Sequence, residues 1–332
     1  MKAAFKYFFL WMILAAIGAL LFALPAVGIA DIVGNPLADY ESVTNNPWAF
    51  SIIFLGVDLV PLLFFWKMKY ARFSFKFDYD FGSSFSVKKL YIWAAVGAIG
   101  CLLLDLVFSN YIQFPEWDTE GLEVLGEMAE NPIGLLSICL LGPLVEETVF
   151  RGAIERRLLE KPWNPWYAIV ISAIFFASAH GNFTQGLTAM IIGCFMGWVY
   201  YRTRNLWPCV FIHALNNTAA CVLGFILAGT SYEDADKLPH TVCAVMLVAS
   251  VVMIYFAVKA IAQMTRDRTP LVAPVEVPPL PDEATFQPGS FNENVSQSLG
   301  TSEELCTPID TTVIDQDEVN LDSPADDYHT GE

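Results

Sequence analysis

Gly142-Pro143-Leu144-Val145-Glu146-Glu147-Thr148-Val149-Phe150-Arg151 lies inside an apolar run extending over about 133–157. A spanning helix needs about 20 mostly apolar residues, so this run reads as one that carries two carboxylates and a guanidinium. Working outward, comparable runs lie at about 7–30, 48–66, 90–108, 166–181, 185–201, 207–229 and 241–260. The expected fold is therefore all-α: a polytopic membrane helix bundle of about eight transmembrane helices. The fifth and sixth runs are short, and only the turn from His180 to Gln185 separates them, so they could form one tight hairpin.

Composition agrees. The 332 residues are 55% hydrophobic and 16% charged, with a mean hydropathy of +0.47, which excludes an ordinary soluble domain. The net charge of −17 is concentrated at one end. Residues 269–332 hold 14 acids and no Lys or Arg, which leaves 18 basic against 21 acidic residues in 1–268, a net −3. Two regions are expected: a membrane body over 1–268, and a disordered, acidic Pro/Ser/Thr-rich tail over 269–332 whose partner is unknown. The basic residues are scattered between apolar runs, so nothing suggests nucleic acid. The seven cysteines form no C-x-x-C pair, and neither a zinc cage nor a disulfide framework is expected.

Seventeen of the 18 basic residues fall on one side of the eight-span arrangement, Lys237 being the exception. The positive-inside rule makes that side cytoplasmic and places both termini there. The expected localisation is an integral multi-pass protein of a bacterial plasma membrane, with the lipid bilayer as its main partner. The first apolar run exceeds a signal-peptide core in length and is read as a retained helix.

Ionisable groups inside a span cost at least about 2.5–3.5 kcal/mol and are functional candidates. Glu147 and Arg151, four apart, are placed to form an intrahelical ion pair. Glu146 points about 100° away with no basic residue at three or four positions. Pro143 removes a backbone donor, which frees the Cys139 carbonyl and bends the helix there. A lone carboxylate there suits general acid–base work. Phe176 and His180 share a helix face, as do His213 and Asn217. A histidine and an amide together can bind a metal or stabilise an oxyanion. Asp58 and Asp105, isolated in the second and third runs, are read as structurally paired or water-exposed.

The ordered set Glu146-Glu147-x-x-x-Arg151, Phe176-x-x-x-His180 and His213-x-x-x-Asn217 resembles the CPBP intramembrane proteases. That family includes the type II CAAX prenyl endopeptidases and bacteriocin-processing enzymes, and the resemblance covers about 130–230. It implies an intramembrane endopeptidase acting on a peptide or membrane-protein substrate. Glu146 and His180 would activate a water, His213 and Asn217 would stabilise the oxyanion, and Glu147 and Arg151 would position the helix. It also implies a divalent metal such as zinc, held by Glu146, His180 and His213, or a metal-free glutamate mechanism with the same residues. Two other readings use the same polar groups: a non-enzymatic membrane partner or immunity protein, and an ion-coupled transporter. Depths along the helices scatter, with Glu146 about 16 Å, His213 about 9 Å and His180 about 21 Å from the basic side. A cavity opening on the basic, cytoplasmic side is expected to admit water and substrate.

Overall fold

The computed structural model describes residues 1–32, 46–112, 115, 118, 125–228 and 238–270. The acidic tail from 271 onward, and with it the expected disorder, lies outside them. Among the described residues there are eight long helices: α1 Lys2–Ile32, α2 Pro47–Lys67, α3 Val87–Tyr111, α4 Pro132–Leu159, α5 Pro165–Ala179, α6 Phe183–Thr203, α7 Trp207–Ala228 and α8 His240–Met264. Seven are long and apolar enough to cross a membrane; α5, at 15 residues, is not. The expected eight-span bundle is thus seven spans plus one short helix. The sixth run is longer than its apolar core suggested, because α6 begins with Phe183-Thr184-Gln185 under an Asn182 cap.

Three helices begin with the same chemistry. Asn46, Asn131 and Asn164 each accept N–H bonds from the first turn, and Pro47, Pro132 and Pro165 follow. An Asn cap satisfies orphan donors, and proline at the first position loses nothing because its N–H would be unpaired there. Against lipid, α1 and α8 are apolar outward: Leu24 is 82% exposed and Val245 69%. In water such surface would drive aggregation, whereas a bilayer accepts it. The chain is an integral membrane protein.

Close packing runs through small residues. A Cβ at Gly18 of α1 would come within 2.0 Å of the Gly56 carbonyl of α2, so these two backbones cross in direct contact.

The helix ends gather into two faces. On the first, which carries the basic residues, Arg156 donates to the Tyr70 carbonyl at 2.9 Å and Arg268 to that of Tyr201 at 2.7 Å. Arg202 holds Thr265, and Asn205 holds the Ser74 carbonyl. There β1 Tyr79–Asp80 pairs antiparallel with β2 Thr269–Pro270. On the opposite face, Asn110 accepts from the Leu238 N–H at 2.7 Å, and Tyr111 meets His240 at 2.7 Å. Asn131 reaches Ser51 there at 2.9 Å. The alternation of helix ends read from the basic residues is therefore the arrangement the contacts make.

Candidate active site

Helix α4 is not a regular α-helix. Ser137–Leu141 and Thr148–Glu155 are π-helical, and Gly142–Glu147 between them is α. In the first π segment the Gly142 N–H reaches the Ser137 carbonyl, five residues back. The next bond in that register would join residue 143 to Ile138, and Pro143 has no N–H to give. The orphaned carbonyl is therefore that of Ile138, not of Cys139 as a regular helix would have it. Asn217 of α7 fills it, its Nδ2 donating at 2.9 Å. The π register thus fixes one motif residue against the helix carrying another.

The expected ion pair forms. Arg151 Nη1 donates to Glu147 Oε1 at 2.8 Å, and both side chains are fully buried. Arg151 also donates through Nη2 to the Gly193 carbonyl of α6 at 3.1 Å. A Cβ on Gly193 would lie 3.3 Å from that nitrogen, so the close approach favours glycine. The same Glu147 oxygen meets His213 Nδ1 at 3.0 Å. A carboxylate already held by arginine accepts, so Nδ1 carries the proton and Nε2 faces the other way. It faces Glu146, with Oε2 at 3.8 Å.

The two adjacent glutamates are separated by exposure. Glu147 is sealed in the core, whereas the Glu146 side chain is 25% exposed while its Oε2 has no hydrogen-bond partner. Of the two, only Glu146 keeps accessible surface, and it is not among the described residues that line the cavities around His180. His180 closes α5, and its Nδ1 meets the Phe176 carbonyl of its own helix at 2.9 Å. That carbonyl only accepts, so His180 Nδ1 is protonated and Nε2 is left as a free acceptor. The next residue, Gly181, has φ +72°, the left-handed geometry that lets a chain leave a helix at once.

Phe176 is the hub. Its ring lies 4.5 Å beneath the Arg151 guanidinium and packs edge-on against His180 at 5.0 Å and His213 at 5.4 Å. A buried aromatic contacting a cation and two imidazoles fixes all three in orientation.

His180, His213, Asn217 and Phe176 line a cavity of about 320 Å³ together with Asp105, Ser109, Thr184 and Gln185. A second cavity, about 550 Å³, shares His180, Gln185 and Asn217 and extends to Ala129 and Glu130. Asp105 therefore borders the polar cavity, as the water-exposed reading expected. Asp58 is 5% exposed, and its Oδ2 has no hydrogen-bond partner. The scatter in depth is absorbed by the shortness of α5, which sets His180 beside residues of longer helices. The lining comes from the last turns of α3, the first turns of α6 and the middle turns of α7.

Among the described residues no group of three His, Cys, Asp or Glu stands close enough to hold an ion. Glu146 and His213 supply two donors, and His180, its Nδ1 bonded to its own helix, keeps Nε2 as a third, but the three do not gather within ligand distance. The three do not fit the closed or three-ligand zinc geometries as placed.

Asp118 was missed in the sequence. Its carboxylate accepts from the Phe183 and Thr184 N–H groups, each at 2.8 Å, and from the Thr184 hydroxyl at 2.7 Å. It thereby pins the start of α6 just after His180. Burial would raise its pKa, but the bonds from Thr184 and Phe183 outweigh it, and the carboxyl stays below its ordinary value of 3.8. A depressed carboxyl stabilises the fold above its unfolded value and loses that contribution as pH falls through the folded one. Between pH 7 and pH 3, the thermal unfolding temperature in detergent should fall further for wild type than for Asp118→Ala. Equal falls would remove Asp118 from the anchoring role. No local sequence signal marks it, since its partners lie about 65 positions away.

Residues 129–219 match the family model described as Type II CAAX prenyl endopeptidase Rce1-like. All seven motif residues, from Glu146 to Asn217, fall inside that match. The chain is 23% identical over 194 residues to "Putative membrane peptidase YdiL" of Bacillus subtilis (strain 168), covering 45% of this chain and 79% of the relative. No solved structure matches the chain. The resemblance to the CPBP proteases thus stands on the family match as well as on the three motifs.

Proposed function

We propose that this chain, which resembles the CPBP proteases through its motif region, is a membrane-embedded endopeptidase acting on a peptide or membrane-protein substrate. The observation that carries the reading is the meeting of His180, His213 and Asn217 on one cavity inside an apolar body, with partly exposed Glu146 against His213. Buried polar groups are costly without such a use.

In this reading a water lies between Glu146 and His180 Nε2. Glu146 takes a proton as the water oxygen bonds to the carbonyl carbon, and His180 orients the water through its free lone pair. The second N–H of Asn217 donates to the oxyanion, and His213, its Nδ1 proton held by Glu147, keeps Nε2 toward Glu146. When the C–N bond breaks, the proton on Glu146 passes to the leaving nitrogen. Glu147 and Arg151 hold His213 and position the helix.

The test compares protein termini by mass spectrometry in membranes carrying wild type or Glu146→Ala at matched expression. New termini only with wild type support the reading; identical termini sink it in favour of a non-enzymatic partner. A second expectation concerns Asn217→Ala. Losing its donation should leave the Ile138 carbonyl unsatisfied, at about 1–3 kcal/mol, and lower cleavage about 10²–10³-fold. Unchanged turnover by purified Asn217→Ala would exclude it from the oxyanion site.

A further inference from the structure

We propose that a cavity at the basic face binds the phosphate headgroup of an anionic membrane lipid. The cavity holds about 560 Å³ and is lined by Trp66, Lys67, Lys69, Arg72, Phe73 and Arg156. None of these residues lines the cavities around His180, so the proposal stands apart from the peptidase reading.

The end of α2 builds one wall. The Tyr70 N–H reaches the Phe65 carbonyl at 3.0 Å, and the Lys69 N–H reaches that of Trp66 at 3.1 Å. These are the paired bonds of a Schellman turn, which sets one residue in the left-handed region. That residue is Lys69, with φ +55°. Glycine is usual at such a position because a side chain there is strained; here the position carries a cation at the cavity instead. The other wall is α4. Arg156 Nη2 donates to the Tyr70 carbonyl at 2.9 Å, and its Nε has no hydrogen-bond partner. A Cβ on Gly152, one turn earlier, would lie 2.5 Å from the Ala71 Cβ, so the chain leaving α2 is seated directly on α4. The cations therefore stand on a built concavity.

Their charge is largely uncompensated. Arg72 meets Asp78 at 2.6 Å, whereas Lys67, Lys69 and Arg156 make no ion pair among the described residues. Like charges gathered in one cavity repel, and a bound anion relieves that repulsion. A phosphodiester supplies the charge and acceptor oxygens for both lysine and the arginine fork. The surface beside the cavity selects a lipid over free phosphate. Leu63 lies one helical turn before Lys67, toward the apolar interior of the span, and both are exposed. A headgroup on Lys67 thus has an apolar track for its acyl chain directly above it. Trp66, exposed at the same level, is a residue type that favours the headgroup layer. Basic pockets between helices at a membrane surface are suited to such headgroups.

The test uses the purified full-length chain in a non-ionic detergent, with bound lipid read by native mass spectrometry. The probe is phosphatidylglycerol, and zwitterionic phosphatidylcholine is the comparison. Wild type should retain phosphatidylglycerol in preference. Lys67→Gln with Lys69→Asn should weaken that binding about 30-fold, about fivefold for each cation removed. Asparagine is chosen at 69 because it tolerates the left-handed region. Lys88→Gln with Lys89→Gln removes the same charge from the start of α3 on the same face, and should bind as wild type does. Equal retention of the two lipids by wild type overturns the proposal. Equal weakening in both double variants also overturns it, because the attraction would then belong to the diffuse charge of the face. Displacement of phosphatidylglycerol by excess inorganic phosphate would make the ligand free phosphate and overturn the lipid assignment. If the Lys67–Lys69 variant does not purify as a folded protein, Lys67→Gln alone should weaken binding about fivefold, and unchanged binding there overturns the proposal.

Discussion

Glu146→Gln should abolish cleavage while leaving the unfolding temperature in detergent within the spread of replicate wild-type preparations. The two readouts separate because Glu146 contributes little to the fold: its side chain is partly exposed, and its Oε2 has no hydrogen-bond partner. Glutamine keeps the shape and removes the group that accepts the water proton. General acid–base groups account for about 10²–10⁴-fold in rate, and loss of the proton acceptor should cost the upper part of that range. The measurement is single-turnover cleavage of whichever substrate the terminus comparison reveals. Substantial activity in Glu146→Gln would move the proton transfer to another group and leave Glu146 a structural carboxylate.

Glu147→Ala should do the reverse, acting first on the fold. It removes the partner of a fully buried arginine, and breaking such a pair costs about 3–5 kcal/mol because an uncompensated charge remains in low dielectric. Here the loss is doubled in kind, since Glu147 Oε1 also holds His213 Nδ1. The expected result is a lower yield of folded protein and a lower unfolding temperature. The double variant Glu147→Leu with Arg151→Leu should recover part of that stability, because replacing both charges by apolar groups removes the desolvation penalty. Cleavage should stay lost in the double variant, since His213 has no acceptor to set its tautomer. Normal unfolding of Glu147→Ala with absent cleavage would exchange the roles of the two glutamates.

These two variants show what kind of information each residue carries. The Glu147–Arg151 pair was legible because it is local, four positions apart on one helix. The link from Glu147 to His213 spans 66 positions, and no spacing rule reaches that far. The Asn217 bond to Ile138 was legible only in half. The sequence showed that Pro143 orphans a carbonyl, but which carbonyl depends on an α or a π register. That choice is made by what packs alongside. Phe176 was placed correctly on the face of His180, yet its contact with Arg151 and His213 brings three helices together.

The sequence by itself determined the membrane body, the order and near limits of its helices, the sidedness of its basic residues and the set of polar groups worth attention. It could do so because apolar length, helical period and charge bias are properties of short segments. Only the tertiary structure decided that α5 stops short, that the two adjacent glutamates differ in exposure, and that His180, His213 and Asn217 share one cavity. Those outcomes depend on which halves of different helices fill the space between them, and packing of that kind is a property of the assembled bundle.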